Sequence, residues 1–495
     1  MTDPSPPLLT PDRIPLRGRR VLVMGLGLAG GGVAVTRWLV REGARVIVTD
    51  LRPEKDLRES VEALAGLPVE LRLGGHREED FRGADLVVRS PAVPHDNPFL
   101  AVARGAGVPI DTEMNLFWKR CRAPVLAVTG SNGKTTTTAL CGEVLRRLAP
   151  DLPPPPGAPA GRAAAPRKVW VGGNIGIPLV EHADAIDPGD LVVLEISSFQ
   201  LEDLASLRRS PRVAVVMNLT PNHLDRHGTM EAYAEAKRQI VRDQGPGDAA
   251  VLNADDPRVW GWAAACRSRV RPFTLKAPGA GQVGREGEVL RAEVEGGPFR
   301  IDVTGRLLPG VFNLQNMVAA AAATWELAGH AAPAAWRAAA GEAFRSFPGV
   351  EHRLELVLEA GGARYYNDSI ATNPESTLAA LDALPGPFVL IAGGYDKKLP
   401  FDALGRAVAA KVRDLVLLGQ TADAIEAAVR AAGGGPRIRR VATLAEAVET
   451  AVGLARAGDH VLLSPACASF DQFRNFAERG RLFKRELAAR LGRAT

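Results

Sequence analysis

Cysteine is scarce in this sequence. Cys121, Cys141, Cys266 and Cys467 are the only four in 495 residues, and they stand far apart. None has the spacing of a metal site, so they read as free thiols of a reducing compartment. Long apolar runs are also missing. No stretch reaches the roughly eighteen apolar residues that a membrane-spanning helix needs. The N-terminal MTDPSPPLLTPDRIP has no apolar core of the kind a secretory signal carries. A cytoplasmic protein is expected. Charge of one sign is not concentrated either. The net charge of +5 comes from 61 Lys and Arg against 56 Asp and Glu, scattered along the chain. That mild bias suits an anionic small substrate at least as well as nucleic acid. No repeat of solenoid period is present. What remains is ordinary for packed domains: 46% hydrophobic and 24% charged residues. The length predicts about three domains.

Short aliphatic runs alternate with longer amphipathic segments, which predicts parallel sheets wrapped by helices. In residues 1–122 the strand-like runs are Val21 to Met24, Val46 to Thr49 and Leu86 to Val88. A second region, 123–348, begins at a new buried strand and continues through Leu191 to Leu194 and Val213 to Met217. It then passes through short strands with Gly turns over 270–305 to a strong helix over 314–328. A third region, 349–495, repeats the rhythm at Phe388 to Ala392, Leu415 to Leu418 and Val461 to Leu463. Residues 151–166 are rich in Pro and Ala and read as a flexible surface insertion.

The most informative segment is VLAVTGSNGKTTTT, residues 125–138. An apolar strand leads into Gly130, Ser131, Asn132 and Gly133, and Lys134, Thr135 and Thr136 open a helix. Such a loop aims several backbone N–H groups at one point, where a phosphate sits at the positive end of the helix. Lys134 adds a point charge for the outer phosphates and Thr135 a hydroxyl for Mg²⁺. One departure stands out. The first glycine of the usual phosphate-loop spacing falls on Val128.

A second glycine cluster, Gly25-Leu26-Gly27-Leu28-Ala29-Gly30, follows the first strand, and Asp50 ends the next. The pattern is a dinucleotide-binding fingerprint. Alone it suggests NAD, yet the same glycines and acid suit any nucleotide diphosphate, and no hydride-acceptor site follows. Glu195 ends the strand in LVVLEISS, where α/β folds place Mg²⁺ ligands. NLTPNHLDRH, residues 218–227, contributes His223, Asp225 and His227, of which His223 is the better metal candidate. Lys237 lies in the helical MEAYAEAKRQI, where pattern alone predicts a solvated face. In the third region, YYNDSIATNPEST gathers Asn367, Asp368, Ser369, Thr372 and Asn373 before a helix. SPACASFDQFRNFAERG follows a strand with small residues suited to binding a carboxylate, and AGGYDKK places Lys397 and Lys398 just past another.

These segments, with GGNIGIPL, LPGVFNLQNMVAA and EHRLELV in the same order, resemble the Mur ligases of peptidoglycan synthesis over essentially the whole chain. SPACASFDQFRNFAERG points to the glutamate-adding branch. The resemblance implies an α/β protein of three domains. A Rossmann-like N-terminal domain holds a nucleotide diphosphate, a P-loop-type ATPase domain with a mostly parallel sheet follows, and a Rossmann-like C-terminal domain binds glutamate. It implies an ATP-dependent amide ligase, acting as a monomer, that adds D-glutamate to UDP-N-acetylmuramoyl-L-alanine through an acyl phosphate. Gly25 to Gly30, Asp50, Arg52, Ser90, Asn174 and His223 would contact the UDP substrate. Gly130 to Thr136, Asn316, Arg353 and Asp368 would contact ATP. Thr135 and Glu195 would hold one Mg²⁺, and His223 with a carbamylated Lys237 would serve a second. Lys134, Glu195, His223 and Lys237 would be the catalytic set. Thr372, Lys397, Ser469, Phe470 and Phe476 would bind glutamate. Two positions depart from the family pattern. Ile370 stands where NDSKATN has Lys, and Ala92 where SPG has Gly. The first leaves ligation of L-glutamate as an alternative, and the first glycine cluster leaves an NAD-dependent dehydrogenase as another.

Overall fold

The computed structural model describes residues 15–28, 30–154, 167–174, 178–295, 297–397, 399–433 and 435–492. Ala29, Lys398 and residues 155–166 of the Pro- and Ala-rich insertion lie outside the described residues. The chain forms two compact units. One comprises Met1–Thr304 with Gln315–Phe344, the other Gly305–Leu314 with Arg345–Thr495.

The first unit holds two sheets. Strands β1 (Arg20–Met24), β2 (Arg45–Asp50), β3 (Val69–Leu73), β4 (Leu86–Arg89) and β5 (Ile110–Thr112) are ordered β3-β2-β1-β4-β5. Every pair is parallel. The order reverses between β1 and β4, which opens a crevice at the strands' C-terminal ends. There β1 runs into the first glycine cluster and β4 into Ser90.

The central sheet contains β6 (Val125–Thr129), β7 (Val169–Gly173), β8 (Leu191–Glu195), β9 (Val213–Val216), β10 (Ala249–Asn253), β11 (Arg269–Phe273), β12 (Val283–Glu286), β13 (Val289–Ala292) and β14 (Phe299–Asp302). Its order is β14-β13-β12-β11-β10-β9-β6-β8-β7. From β7 to β11 the pairs are parallel, and the last two, β12 with β13 and β13 with β14, are antiparallel. β6, β8, β9 and β10 are buried at every residue, as strands covered on both faces must be. β6 lies between β8 and β9, so the glycine loop, Glu195 and the 217–220 segment emerge side by side. One apolar cluster runs from Val21, Trp38 and Phe117 beside the first sheet to Leu194, Val216 and Tyr233 around the central one.

The second unit is built on β15 (Glu355–Ala360), β16 (Ala363–Asn367), β17 (Phe388–Ala392), β18 (Val412–Leu417), β19 (Arg437–Arg440) and β20 (His460–Leu463). Their order is β15-β16-β20-β17-β18-β19, and only the β15–β16 pair is antiparallel. Asp368, the 464–469 loop and Gly393 to Lys397 therefore leave three adjacent strands at one end of the sheet.

Candidate active site

Backbone geometry shapes the loop after β6. Gly130 has φ 150° and Gly133 φ 81°, in the region that favours glycine. A Cβ on Gly133 would stand 2.5 Å from Asn316 Oδ1, and one on Gly130 2.7 Å from Met217 Cβ. The loop is sewn to the segment after β9. Ser131 N donates to Asn218 O at 2.9 Å, and Asn132 N donates to Asn218 Oδ1 at 2.8 Å. Lys134 opens the Lys134–Leu148 helix, and its Nζ donates to the carbonyls of Gly130 (3.0 Å) and Ser131 (3.1 Å). Thr136 is buried one residue beyond Thr135, and Thr137 Oγ1 donates to Asn316 Oδ1 at 3.3 Å. Asn316 thereby braces the first turn of the helix.

Glu195, 1% exposed, ends β8 beside this turn. Thr135 Oγ1 donates to its Oε2 at 2.8 Å and Asn174 Nδ2 to its Oε1 at 2.9 Å. Asn174 is placed by β7: its N–H donates to the Glu195 carbonyl at 2.8 Å, and Gly173, φ 105°, has no room for a Cβ, which would stand 2.3 Å from that same oxygen. A hydroxyl and a carboxylate are the hard oxygen donors that Mg²⁺ prefers. Among the described residues no group of three or more His, Cys, Asp or Glu gathers to form a metal cage. Thr135 and Glu195 alone could hold only part of a divalent ion's coordination shell; Mg²⁺ commonly completes its shell with substrate phosphate and water.

Lys237 corrects the expectation of a solvated face. It is 1% exposed, although it lies in the middle of the Met230–Arg242 helix. Its Nζ donates to Thr129 Oγ1 at 3.2 Å and lies 4.8 Å from the Tyr233 ring centre. Burial pulls the amine well below an ordinary lysine's pKa; the Lys134 charge adds to this and Glu195 opposes it. Thr129 and Tyr233 thereby join the candidate site, although sequence reasoning does not single them out. Thr129 Oγ1 in turn donates to the Ile196 carbonyl at 2.8 Å, and the Tyr233 hydroxyl meets Ser131 Oγ at 3.0 Å.

His223 is exposed at the start of the Leu224–His227 turn, with φ 53° and its ring 5.0 Å from that of Phe199. His227 is the more constrained of the two. Its side chain is 1% exposed, its Nε2 meets Ser198 Oγ at 3.0 Å and its Nδ1 lies 3.1 Å from Glu202.

The candidate diphosphate residues converge on the crevice of the first sheet. Gly25, Gly27 and Gly30 all have positive φ. Leu26 is buried and Leu28 exposed. Asp50 accepts from Gly27 N at 3.1 Å and from Arg52 N at 2.9 Å, so its carboxylate fixes the loop. Ser90 closes over Gly25, where a Cβ would fall 2.9 Å from Ser90 Cβ.

Arg353 and Asp368 belong to the second unit. Asp368 Oδ2 accepts from Ser464 Oγ at 2.7 Å and Oδ1 from Leu354 N at 3.2 Å. Burial lifts this carboxyl to about 7, against the opposing pull of Ser464 and Arg353. Lys397 Nζ reaches the Thr372 carbonyl at 3.3 Å. Ser469 is buried while Phe470, 62% exposed, meets Tyr395 edge-on at 6.0 Å. Phe476 follows the N-cap Asn475 and accepts Ser369 Oγ at its carbonyl, 2.7 Å away. Sequence reasoning missed Arg479. This buried guanidinium donates to Ser369 Oγ (3.0 Å) and to the carbonyls of Ser369 (2.9 Å), Cys467 (3.0 Å) and Ala468 (3.2 Å). It joins the two loops that carry the candidate glutamate residues.

Three family profiles match successive parts of the chain. They are the N-terminal domain of MurD-like Mur ligases over residues 19–111, the Mur ligase middle domain over 128–324, and the glutamate ligase domain of Mur ligases over 352–467. The chain belongs to the Mur ligase family. A UDP-N-acetylmuramoylalanine–D-glutamate ligase of Roseiflexus sp. is 44% identical, covering 95% of this chain and 98% of its own. Its counterpart in Symbiobacterium thermophilum is 47% identical, covering 94% and 97%. Among solved Mur ligase structures, the UDP-N-acetylmuramate–alanine ligase of Thermotoga maritima superposes with a TM-score of 0.59 at 20% identity, covering 95% of this chain and 100% of its own. A MurF ligase from the same organism, in complex with ADP, gives 0.53 at 17% identity, covering 90% and 96%. These structures share the Mur ligase fold of this chain. Neither the dehydrogenase reading nor L-glutamate finds support among the relatives.

Proposed function

We propose that this Mur ligase joins D-glutamate to UDP-N-acetylmuramoyl-L-alanine at the expense of ATP, as a monomer in the cytoplasm. The observation that carries the reading is the Thr135–Glu195–Asn174 cluster beside a glycine loop whose lysine opens a helix. It unites a phosphate cradle with a pair of hard oxygen donors, within a family whose full-length relatives are named for this reaction.

A carboxylate is a poor electrophile, because its charge repels nucleophiles. Transfer of the ATP γ-phosphoryl group to the alanine carboxylate removes that obstacle and installs a leaving group. The glutamate amine then attacks the acyl carbon and phosphate departs, leaving an amide. The loop from Gly130 to Gly133, its Ser131 and Asn132 N–H groups tied to Asn218, presents the start of the Lys134–Leu148 helix to the phosphates, and Lys134 offsets the repulsion as two anions approach. Thr135 and Glu195 would hold Mg²⁺, which supplies charge neutralisation and alignment of the phosphates. Asn174 orients Glu195 and, with His223, would lie near the incoming muramoyl-alanine. Asn316, Arg353 and Asp368 would complete the ATP contacts. Gly25 to Gly30, Asp50, Arg52 and Ser90 would hold the uridine diphosphate. Thr372, Lys397, Ser469, Phe470 and Phe476 would hold glutamate.

Lys237 joins the site as a carbamate in this reading. A neutral amine adds to CO₂ with loss of one proton, and the product is an anion that, with His223, would serve a second Mg²⁺. What supports this is an amine that burial has already pushed toward its neutral form. The reading makes Lys237→Ala inactive and partly rescued by a short carboxylic acid. Full activity without any additive removes the carbamate.

The deciding assay is phosphate release with UDP-N-acetylmuramoyl-L-alanine, Mg-ATP and either D- or L-glutamate. D-glutamate should support turnover and L-glutamate should not. Lys134→Ala should lower kcat by at least about a hundredfold, the scale on which loss of one transition-state electrostatic contact is felt. No release with either enantiomer ends the assignment. Release with L-glutamate alone reverses the stereochemistry and returns attention to Ile370.

A further inference from the structure

The strand that leads to Ser90 ends in a buried cation. Arg89 closes β4 and is 2% exposed. Its Nη1 donates to the carbonyls of Val93 (2.8 Å) and Ser90 (3.2 Å), which folds the 90–95 loop around it. Its Nη2 donates to His95 Nε2 at 3.0 Å and makes an ion pair with Asp203 Oδ1. Asp203 is equally buried, near the end of the Ser198–Leu204 helix. That helix starts three residues after Glu195, and the reciprocal Ser197–Gln200 capping box fixes its first turn. A second arginine reaches the same loop from the other candidate-site segment. Arg226, in the turn that begins at His223, donates to the Pro91 carbonyl at 2.7 Å and lies 4.0 Å over the Phe199 ring.

Nothing in the chemistry of phosphoryl transfer requires these groups, yet they occupy the seam where the first sheet meets the central one. We propose that the Arg89–Asp203 pair is a positioning device that couples the diphosphate-side loop at Ser90 to the helix following Glu195, and so sets the affinity for the UDP-linked substrate. The proposal rests on the ligase reading above. A buried ion pair adds little net stability but punishes the loss of one partner, because the other charge is left uncompensated. Its geometry is therefore stiff. The fork of Arg89 serves both ends at once: bonds to Ser90, Val93 and His95 shape the loop, and the pair with Asp203 anchors it. A loop held in one conformation needs no further ordering when a ligand arrives, which favours binding. Asp203 touches none of the expected reacting groups. It acts through Arg89.

Asp203→Asn isolates the coupling, since it leaves the bonds from Arg89 to Ser90 and Val93 in place. It should raise KM for UDP-N-acetylmuramoyl-L-alanine by about tenfold, with kcat and the KM values for ATP and D-glutamate within about twofold. Arg89→Met should have the same selectivity and a larger effect. Arg89→Lys retains the charge without the fork, and should recover only part of the affinity. The double variant Arg89→Met/Asp203→Asn should be no weaker than Arg89→Met alone, because both substitutions break one link. If a single variant fails to fold, the double variant, which leaves no lone buried charge, carries the test. A variant that melts early but keeps its KM for the UDP substrate makes the pair merely structural and overturns the proposal, as does an equal rise in all three KM values. Failure of the unsubstituted protein to turn over overturns the ligase reading instead, and calorimetric titration with the UDP substrate then tests the coupling alone.

Discussion

Lys237 shows how far a single residue can depart from its sequence context. It sits among charged and polar neighbours in MEAYAEAKRQI, and helix periodicity alone leaves it facing water. Its burial comes from tertiary packing against Thr129 at the end of β6 and Tyr233 one turn away. The resemblance identified the residue, whereas its physical reason became visible only in the fold. Its depressed pKa has a sign that can be checked. In the unfolded chain the amine keeps a proton up to about pH 10.4. In the folded chain it releases that proton at lower pH, so between the two values the unfolded state binds more protons and stability rises with pH. Lys237→Met in CO₂-free buffer should melt above the parent at pH 7, and the gap should shrink toward pH 10. Melting curves that stay parallel across this range contradict a buried, proton-shedding amine. Asp203 has the opposite sign. Burial raises it to about 6 against the pull of Arg89. The folded state holds its proton longer, so this group's contribution to stability falls as pH rises from about 4 to 6. Asp203→Asn should flatten that part of the melting-temperature profile.

Among the elements, most interior strands were legible, β10 and β16 excepted, and the edges were not. β6, β8 and β17 are buried on both faces and read as unbroken aliphatic runs. β3 (VELRL) and β19 (RIRR) carry charge within the strand and show no such run. They exist because β2 and β18 offer parallel partners, and because Arg72 and Arg437 find Asp80 and Asp414. The glycine loop was legible for a different reason. Its φ values near Gly130 and Gly133 demand a residue without Cβ, and the sequence records that demand directly. Gly133→Ala should therefore impair nucleotide binding. It adds about 1–2 kcal/mol of left-handed strain and drives a methyl group against Asn316. KM for ATP should rise while KM for the UDP substrate stays near its parent value. An unchanged KM for ATP shows that the loop can relax. The charged seam of Arg89, Asp203 and Arg226 left no trace in the pattern, since its members lie far apart in sequence and each looks like a surface residue.

At the scale of the whole molecule, two compact units divide the expected ligands. Every residue expected to contact the UDP substrate belongs to the first, from Gly25 to His223, and every residue expected to contact glutamate belongs to the second. Scanning calorimetry should resolve two transitions. The UDP substrate at a hundred times its Kd should stabilise one of them by about 2.7 kcal/mol. D-glutamate alone should act on the other. A single transition that both ligands raise equally shows one cooperative unit in place of two. The described residues contain no helix long and apolar enough to cross a membrane.

The same partition has a topological side. The second unit takes in Gly305–Leu314 as well as Arg345–Thr495, while Gln315–Phe344 returns to the first. The polypeptide consequently crosses from one body to the other more than once. A protease that nicks a single crossing cuts the chain in two, yet one of the fragments still spans both bodies through the remaining crossings. A C-terminal fragment cut at residue 349 forfeits a segment native to its own body. The two halves are interlaced by their own backbone, and neither can be lifted out as one uninterrupted stretch of chain.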